Sequence, residues 1–232
     1  MSVKDIVFSE TQKTQRYPLL AQLASLFLYS SLDGMKLEIA EFFKTLLEPE
    51  SESSFIDAFH SQILPTFIEY IMEGKDEGTI FRVLEIIILF AGTNRIKIIQ
   101  LLIRSNTLKQ LAALLFSKSK ALKLSILKLL KALLFNSEEI NQYFIRHNLL
   151  APLFTIIKKK RGNLLTSACF DMLNVIIVQD IQTLILHIME KYKEFIEDDK
   201  YKANPIIQKL RDKYCLIQIV KNKSQGILTV YS

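Results

Sequence analysis

The side chains that most often perform catalysis or bind metals are few in this sequence and stand apart from one another. The three histidines, His60, His147 and His187, have no second histidine or glutamate at the spacing that places two metal ligands on one helix face. No glycine-rich phosphate loop, Gly-x-Ser-x-Gly motif or cysteine–histidine pair suited to nucleophilic catalysis is present. The sequence therefore predicts no enzyme activity, no catalytic residue, no metal site and no cofactor.

The cysteines and the densest acidic run have similarly plain interpretations. Cys169 and Cys215 lie in apolar stretches without Cys-x-x-Cys spacing, which predicts buried, reduced side chains rather than a disulfide or a zinc site. The acidic residues 197–199 fall between two predicted helices, where solvated carboxylates are ordinary. We therefore expect no metal there.

The strongest short motif is the basic run Lys158, Lys159, Lys160 and Arg161. It has three interpretations: a nuclear-import signal, an anion-binding edge for a partner, or cations in the last turn of a helix that ends at Gly162. In the third case the cations complement the negative end of the helix dipole, and the glycine provides a left-handed C-cap. The sequence leaves these alternatives open.

The charges are unevenly distributed along the chain. Residues 1–85 hold 7 basic and 14 acidic residues (net −7), residues 86–170 hold 14 basic and 2 acidic residues (net +12), and residues 171–232 hold 9 and 8 (net +1). An acidic end and a basic middle present separate surfaces to differently charged partners. The basic middle also motivates an alternative function, a basic helical-repeat protein that binds nucleic acid.

An internal repeat organises the chain. Residues 102–111 align with residues 144–153 at an offset of 42, with five of ten positions identical. The helix after each block also matches, because Leu122, Ile126, Leu130 and Leu134 fall on Leu165, Cys169, Leu173 and Ile177. A period of 42–44 residues is typical of armadillo or HEAT repeats. We therefore predict an all-α fold, an armadillo/HEAT-like right-handed helical solenoid.

The repeat predicts the order of helices and the domain organisation. The clearest unit has helices near 94–104, 106–117 and 119–135, with Asn106 and Asn148 as N-caps at matched joints. Other units cover about 53–92 and 138–178, with a partial unit at 18–48 and closing helices near 180–196 and 204–222. This places an N-terminal segment at 1–17, a helical repeat domain at 18–222 and a C-terminal tail at 223–232.

The pattern of apolar and charged residues in the third helix of each unit predicts which residues form the core and which form a partner-binding surface. Its apolar residues, Leu122, Ile126, Leu127, Leu129, Leu130, Leu133 and Leu134, spread over about 160°, which is wide enough to contact neighbouring helices on two sides. On its polar side, the repeat offset relates Glu85 to Lys128 and Lys128 to Asp171, a ladder of alternating charge. The candidate partner-binding surface comprises Glu85, Lys120, Lys128, Lys131, Asp171, Asn174, Lys158, Lys159, Lys160 and Arg161. A set of merely solvated helix faces is the alternative.

Three contiguous blocks resemble a known family. They are residues 141–153 (Asn-Gln-Tyr-Phe-Ile-Arg-His-Asn-Leu-Leu-Ala-Pro-Leu), 161–168 (Arg-Gly-Asn-Leu-Leu-Thr-Ser-Ala) and 179–188 (Gln-Asp-Ile-Gln-Thr-Leu-Ile-Leu-His-Ile). In order and spacing they resemble the helical Smk-type domain of phosphatase 4 regulatory subunit 3, the suppressor-of-MEK family. Weaker similarity extends back through residues 47–50 and 55–65, so the resemblance covers most of the chain.

The resemblance implies a non-catalytic scaffold subunit that recruits protein partners, including a serine/threonine phosphatase catalytic subunit and other regulatory subunits, in the nucleus and cytoplasm. The 232 residues leave no room for the family's N-terminal pleckstrin-like domain or its acidic tail, so we expect either a fragment of a longer protein or a reduced homologue. Recognition of substrate motifs by that domain therefore does not carry over. The apolar runs are shorter than a membrane span, and residues 1–5 do not start a secretion signal, so we expect an intracellular protein with no membrane partner.

Overall fold

The computed structural model describes residues 18–47, 53–135, 137–159 and 163–230, with residues 53–54 and 223–230 described by their backbone alone. The predicted N-terminal segment 1–17 lies outside these residues. Within the described ranges the chain consists of helices joined by short turns, without a β-strand, so the all-α prediction is confirmed. The armadillo/HEAT-like type, the right-handed course and the domain division stay predictions.

By its internal contacts the chain divides into two compact units, Met1–Ala132 and Leu133–Ser232, called here the first and second units. The described helices of the first unit are α1 (Pro18–Tyr29), α2 (Asp33–Leu46), α3 (Ser53–Ala58), a π-helical turn (Phe59–Ile63), α4 (Leu64–Glu73), α5 (Glu77–Arg104), α6 (Thr107–Leu114) and α7 (Lys120–Leu133), whose last residue belongs to the second unit. Helix α1 packs on α2 and α4, while α5 packs on α2, α4 and α6.

The core of the first unit is a cluster of phenylalanine rings. Phe27, Phe43, Phe59, Phe67 and Phe90 are all fully buried. Phe67 lies with its ring centroid 5.6 Å from that of Phe27 and 5.7 Å from that of Phe43, and Phe59 lies 5.0 Å from Phe90. Their edge-to-face and tilted arrangements suit the ring quadrupole, so the cluster stabilises the unit beyond simple area burial.

The turn between α4 and α5 is defined by two residues with distinct backbone roles. Gly74 has φ 68°, a left-handed conformation that ends α4, and its N–H donates to the Tyr70 carbonyl at 3.4 Å. Asp76 then begins α5 as its N-cap, since its Oδ1 accepts from the Gly78 N–H at 3.0 Å. The two caps bring the start of α5 back against α2.

Helix α5 joins two helices that the sequence predicted as separate. It runs from Glu77 to Arg104, and the predicted break near residue 94 is a kink at Asn94, where φ is −123° and ψ is 37°. By length and composition alone, α5 is apolar enough to span a membrane. Its buried side chains pack against α2, α4 and α6, as in the core helix of a folded domain.

The predicted apolar face of α7 is confirmed as core. All seven residues named for it are buried, Leu127 at 2% exposed and the other six at 0%. Lys120 and Lys128, on the opposite side, are exposed. The 3.6-residue period therefore placed both faces of this helix correctly.

The described helices of the second unit are α8 (Glu138–Arg146), α9 (Ala151–Lys159), α10 (Leu164–Val178), α11 (Gln182–Lys191), α12 (Lys193–Glu197), α13 (Asp199–Lys202) and α14 (Pro205–Val230). Helix α10 packs on α9 and α14, and α11 packs on α8 and α14. The repeat-matched residues of α10 (Leu165, Cys169, Leu173 and Ile177) are all buried, as predicted from their counterparts in α7. The last helix continues past residue 222, where the sequence predicted its end.

Asn106 occupies the predicted N-cap position of α6, but its backbone is left-handed, with φ 56°, and its side chain makes no cap hydrogen bond. Two local predictions were wrong. Asn148 is not the N-cap of α9, which begins at Ala151; it also adopts a left-handed φ, 53°, and accepts a hydrogen bond from the Tyr192 hydroxyl. Asparagine tolerates this conformation better than most residues, so the repeat retains it as a turn residue. Cys215 was predicted to be buried, but its side chain is exposed.

Candidate partner-binding surface

Glu85 lies on α5 at the edge of the first unit, where its carboxylate already has a partner. Lys44 of α2 donates to Glu85 at 3.1 Å and to Glu41 at 2.9 Å. Partial burial lowers the pKa of Lys44, but the hydrogen bonds and charges of the two glutamates outweigh it and raise that pKa overall. Glu85 therefore connects α5 to α2, a contact that the repeat register did not reveal.

Helices α6 and α7 and the turn between them carry basic residues and no acidic one. No acidic residue occurs between residues 86 and 137. Lys109, Lys118, Lys120 and Lys128 are exposed, and Lys131 is partly buried on the same arc of α7 as Lys120 and Lys128. The charged side chains of this stretch therefore all carry positive charge.

Two candidate residues lie on α10 in the second unit. Asp171 is exposed, whereas Asn174 is partly buried and its Oδ1 is a buried atom without a hydrogen-bond partner among the described residues. The helix begins at Asn163, whose Oδ1 accepts from the Thr166 N–H at 2.9 Å. This cap fixes where α10 begins and thereby which residues face outward.

The basic run is described only in part. Lys158 and Lys159 are exposed in the last turn of α9, where cations complement the helix dipole. Lys160, Arg161 and the predicted C-cap Gly162 lie outside the described residues. Each of the three interpretations of this run therefore stays open.

The predicted charge ladder draws on both units. Glu85 and Lys128 belong to the first unit and Asp171 to the second. The structure places all three at least partly exposed. It gives Glu85 a close cation, Lys44, that the ladder did not include. The ladder and the other candidate binding residues stay predictions.

Sequence reasoning missed a buried polar cluster between α2 and α5. Lys36, which is 7% exposed, donates to the Thr79 hydroxyl at 2.7 Å and contacts Asp76 at 3.4 Å. The Thr79 hydroxyl in turn donates to Asp76, a hydrogen bond that is the main cause of the lowered pKa of that carboxyl. The 40-residue separation of Lys36 and Asp76, close to the repeat period, was the one available signal.

The second unit has its own polar contact, a partly buried one, which links the α8–α9 turn to the α11–α12 joint. The Tyr192 hydroxyl donates to Asn148 Oδ1 at 2.6 Å, and the Tyr192 ring stacks on Phe154 with a centroid distance of 3.9 Å. Burial raises the pKa of Tyr192 to about 12. These contacts make the left-handed Asn148 a structural residue.

The titratable groups considered for chemistry do not converge in the described residues. Desolvation lowers the pKa of His187 and the pKa of His60. The positive charge of Lys97 lowers the pKa of His60 further. Burial raises the pKa of the Cys169 thiol to about 12, which keeps it protonated at neutral pH. No group of three or more potential metal ligands occurs in the part of the chain that the structure describes.

Comparison with known proteins identifies relatives of the chain. The family described as phosphatase 4 regulatory subunit 3 matches residues 1–215. Suppressor of Mek1 from Dictyostelium discoideum is 23% identical, over 78% of this chain and 20% of that protein. Serine/threonine-protein phosphatase 4 regulatory subunit 3 from Drosophila melanogaster is 24% identical, over 72% of this chain and 19% of that protein. The chain therefore spans about a fifth of the length of these two relatives.

The fold also resembles a solved structure. The crystal structure of an engineered protein from the Northeast Structural Genomics Consortium aligns with a TM-score of 0.60 at 12% identity, over 84% of this chain and 76% of that one. At this identity the likeness concerns the fold alone.

Proposed function

The chain belongs to the phosphatase 4 regulatory subunit 3 family, and we propose that it acts as a non-catalytic regulatory and scaffold subunit of a serine/threonine protein phosphatase 4-like complex. Its partners are a phosphatase catalytic subunit and other regulatory subunits. The family match over residues 1–215 carries this proposal. In this role the chain supplies binding and positioning, while the catalytic subunit supplies the chemistry.

The exposed lysines of α6 and α7 favour a particular place for the partner. Lys120 and Lys128 project from a helix whose opposite face is fully buried, so the packed core holds their backbone in position. A surface of one charge sign steers an oppositely charged partner and limits its orientation. We therefore place an acidic surface of the partner against α6 and α7.

Co-purification tests this proposal directly. The intact chain should co-purify with a phosphatase 4 catalytic subunit at low salt, and the double variant Lys120→Glu/Lys128→Glu should weaken that association about tenfold or more, because two attractive contacts become repulsive. The matched control Lys191→Glu/Lys209→Glu reverses two exposed charges in the second unit and should bind normally. Failure of the unmodified chain to co-purify under these conditions contradicts the proposal.

Nucleic-acid binding is the second candidate function, favoured by the net charge of +12 over residues 86–170. Contacts to phosphates release counterions, so such binding weakens steeply as salt concentration rises. Titration of a labelled duplex or single strand against the chain, from low to physiological salt, tests this. A steep salt dependence that is lost when Lys158 to Arg161 are neutralised supports nucleic-acid binding over the scaffold role.

We also propose that the protein occurs in both nucleus and cytoplasm, with residues 158–161 as the import signal. Four consecutive cations are typical of such signals. A fluorescent fusion of the chain with all four residues changed to glutamine should lose its nuclear fraction. A nuclear fraction equal to that of the unmodified fusion contradicts the assignment.

A further inference from the structure

The second unit contains a cleft that the repeat pattern did not predict. It has a volume of about 530 Å³ and lies among α11, α12, α13 and α14. Clefts of roughly 300 to 1,000 Å³ are the usual size for binding a small ligand or a few side chains of a peptide. All of its lining residues are among those that the structure describes.

The frame of the cleft is held by buried contacts. Phe195 of α12 and Tyr201 of α13 are both buried, and their rings stack at a centroid distance of 4.3 Å. Arg211 of α14 donates a hydrogen bond from its guanidinium group to the Ile196 carbonyl, which ties α14 to α12. The short helices α12 and α13 are thus fixed against the long helix α14.

The chemistry of the lining is cationic and apolar. Three cations, Lys193, Lys202 and Arg211, face one carboxylate, Glu197, so the lining carries a net charge of +2. Met189 and Tyr214, both partly exposed, provide an apolar surface beside them, and Ile196 is a buried residue of the lining. A lining of this kind suits a ligand that combines a doubly charged anion with an apolar part.

The lysines are held only loosely by their present partners. Lys193 lies 3.8 Å from Glu197, and Lys202 lies 3.9 Å from Asp199, both longer than a charge-assisted hydrogen bond of about 2.7 to 2.9 Å. More than half of each of these side chains is exposed. Because exposed, long ion pairs are weak, both ammonium groups can turn to an incoming anion at little cost.

We propose that this cleft binds a phosphorylated side chain of a peptide segment, with the apolar lining contacting the neighbouring peptide residues. A phosphate monoester carries a charge of about −1.5 to −2 at neutral pH and three acceptor oxygens, which matches two ammonium groups and a guanidinium. The concave, partly apolar lining fits a peptide side chain better than a flat bilayer. The proposal does not depend on the proposed function, because the chain alone forms the whole cleft.

The first test measures peptide binding to the intact chain by fluorescence anisotropy. The probe is a labelled peptide with one phosphoserine flanked by Leu and Phe, compared with its unphosphorylated form. We expect the phosphopeptide to bind at least about tenfold more tightly, the difference made by one or two charge-assisted hydrogen bonds. Equal affinity for the two peptides overturns the proposal.

Variants separate the cleft from general surface charge. Lys193→Gln/Lys202→Gln should weaken phosphopeptide binding about tenfold or more, whereas Glu197→Gln should strengthen it by removing the one opposing charge of the lining. Lys209→Gln is the matched control, since Lys209 is an exposed lysine of α14 outside the cleft. These substitutions replace exposed side chains, so the fold is retained. An equal loss in the control overturns the proposal in favour of unspecific attraction.

The exposed cysteine gives a second, independent readout. Cys215 lines the cleft, while Cys169 is buried, so a maleimide added to the native chain reports on the cleft alone. The phosphopeptide should slow this alkylation severalfold, and the unphosphorylated peptide should not. If inorganic phosphate at the same concentration protects equally, or if only vesicles containing a phosphoinositide protect, a phosphorylated peptide is not the ligand.

Discussion

Replacing Leu130 by alanine tests whether the apolar face of α7 is the structural core of the repeat. Leu130 is fully buried, and the substitution removes three carbon atoms, each worth about 0.8 kcal/mol of transfer free energy. The cavity left behind adds to this loss, so the free energy of unfolding should fall by about 3 kcal/mol. For a chain of this size, such a loss lowers the melting temperature by about 6 to 12 °C.

The matched control lies two residues earlier on the same helix. Lys128 is exposed, so Lys128→Ala should change the free energy of unfolding by no more than about 0.5 kcal/mol. The repeat also predicts that Leu173→Ala in α10, which removes the equivalent buried leucine, costs about as much as Leu130→Ala.

Urea unfolding followed by circular dichroism measures all three variants under one condition. The slope of unfolding against urea should stay unchanged, since the exposed area differs little among them. A loss below about 1 kcal/mol for Leu130→Ala, or a loss equal to that of Lys128→Ala, would refute the assignment of this face to the core. Leu130 and Leu173 would then not occupy equivalent buried positions in two copies of the repeat.

Three further predictions concern single side chains. Asp76→Ala removes the N-cap of α5 and the anion near Lys36, so the free energy of unfolding should fall by about 1 to 3 kcal/mol at neutral pH. Because the pKa of Asp76 is lowered in the folded protein, the carboxylate stabilises the fold at pH values above the ordinary carboxyl pKa, and this contribution is lost as the pH falls below about 4. Urea titrations should therefore give converging free energies of unfolding for the unmodified chain and Asp76→Ala at low pH. Tyr192→Phe removes the hydrogen bond to Asn148 and should destabilise by about 1 to 2 kcal/mol in thermal unfolding, and a cost near zero would show that the bond contributes nothing. Cys169 should resist a thiol reagent until the chain unfolds, so mass spectrometry should find one modified cysteine in the native protein and two in urea, whereas two in the native state would contradict its burial.

Local periodicity accounts for the predictions that were confirmed. The four-residue spacing of Leu122, Ile126 and Leu130 places them on one side of a helix, whatever that helix packs against, so their burial follows from sequence. The matched positions in α10 repeat the spacing, and they are buried for the same reason. The family assignment was likewise available from contiguous blocks of residues, which require no knowledge of the fold.

Errors arose where a residue's role depends on how helices end and how they pack. Asn106 and Asn148 both have the residue type of an N-cap and both adopt a left-handed backbone, yet only Asn106 occupies an N-cap position. The exposure of Cys215 depends on which side of α14 packs on α11, and the sequence shows apolar neighbours on both sides. The helix break predicted near Asn94 became a kink within α5, because a polar residue between two helical stretches permits either outcome.

The sequence by itself determined the helical class, the positions of the core-facing residues of α7 and α10, and the family, because these follow from spacing within about 15 residues and from matching blocks. Only the tertiary structure decided the contact of Lys36 with Thr79 and Asp76, the pairing of Glu85 with Lys44, and the basic cleft beside α14. Each of these forms only when separate helices of one unit pack together. Such contacts depend on the direction of whole helices, which the periodicity of a single helix does not specify.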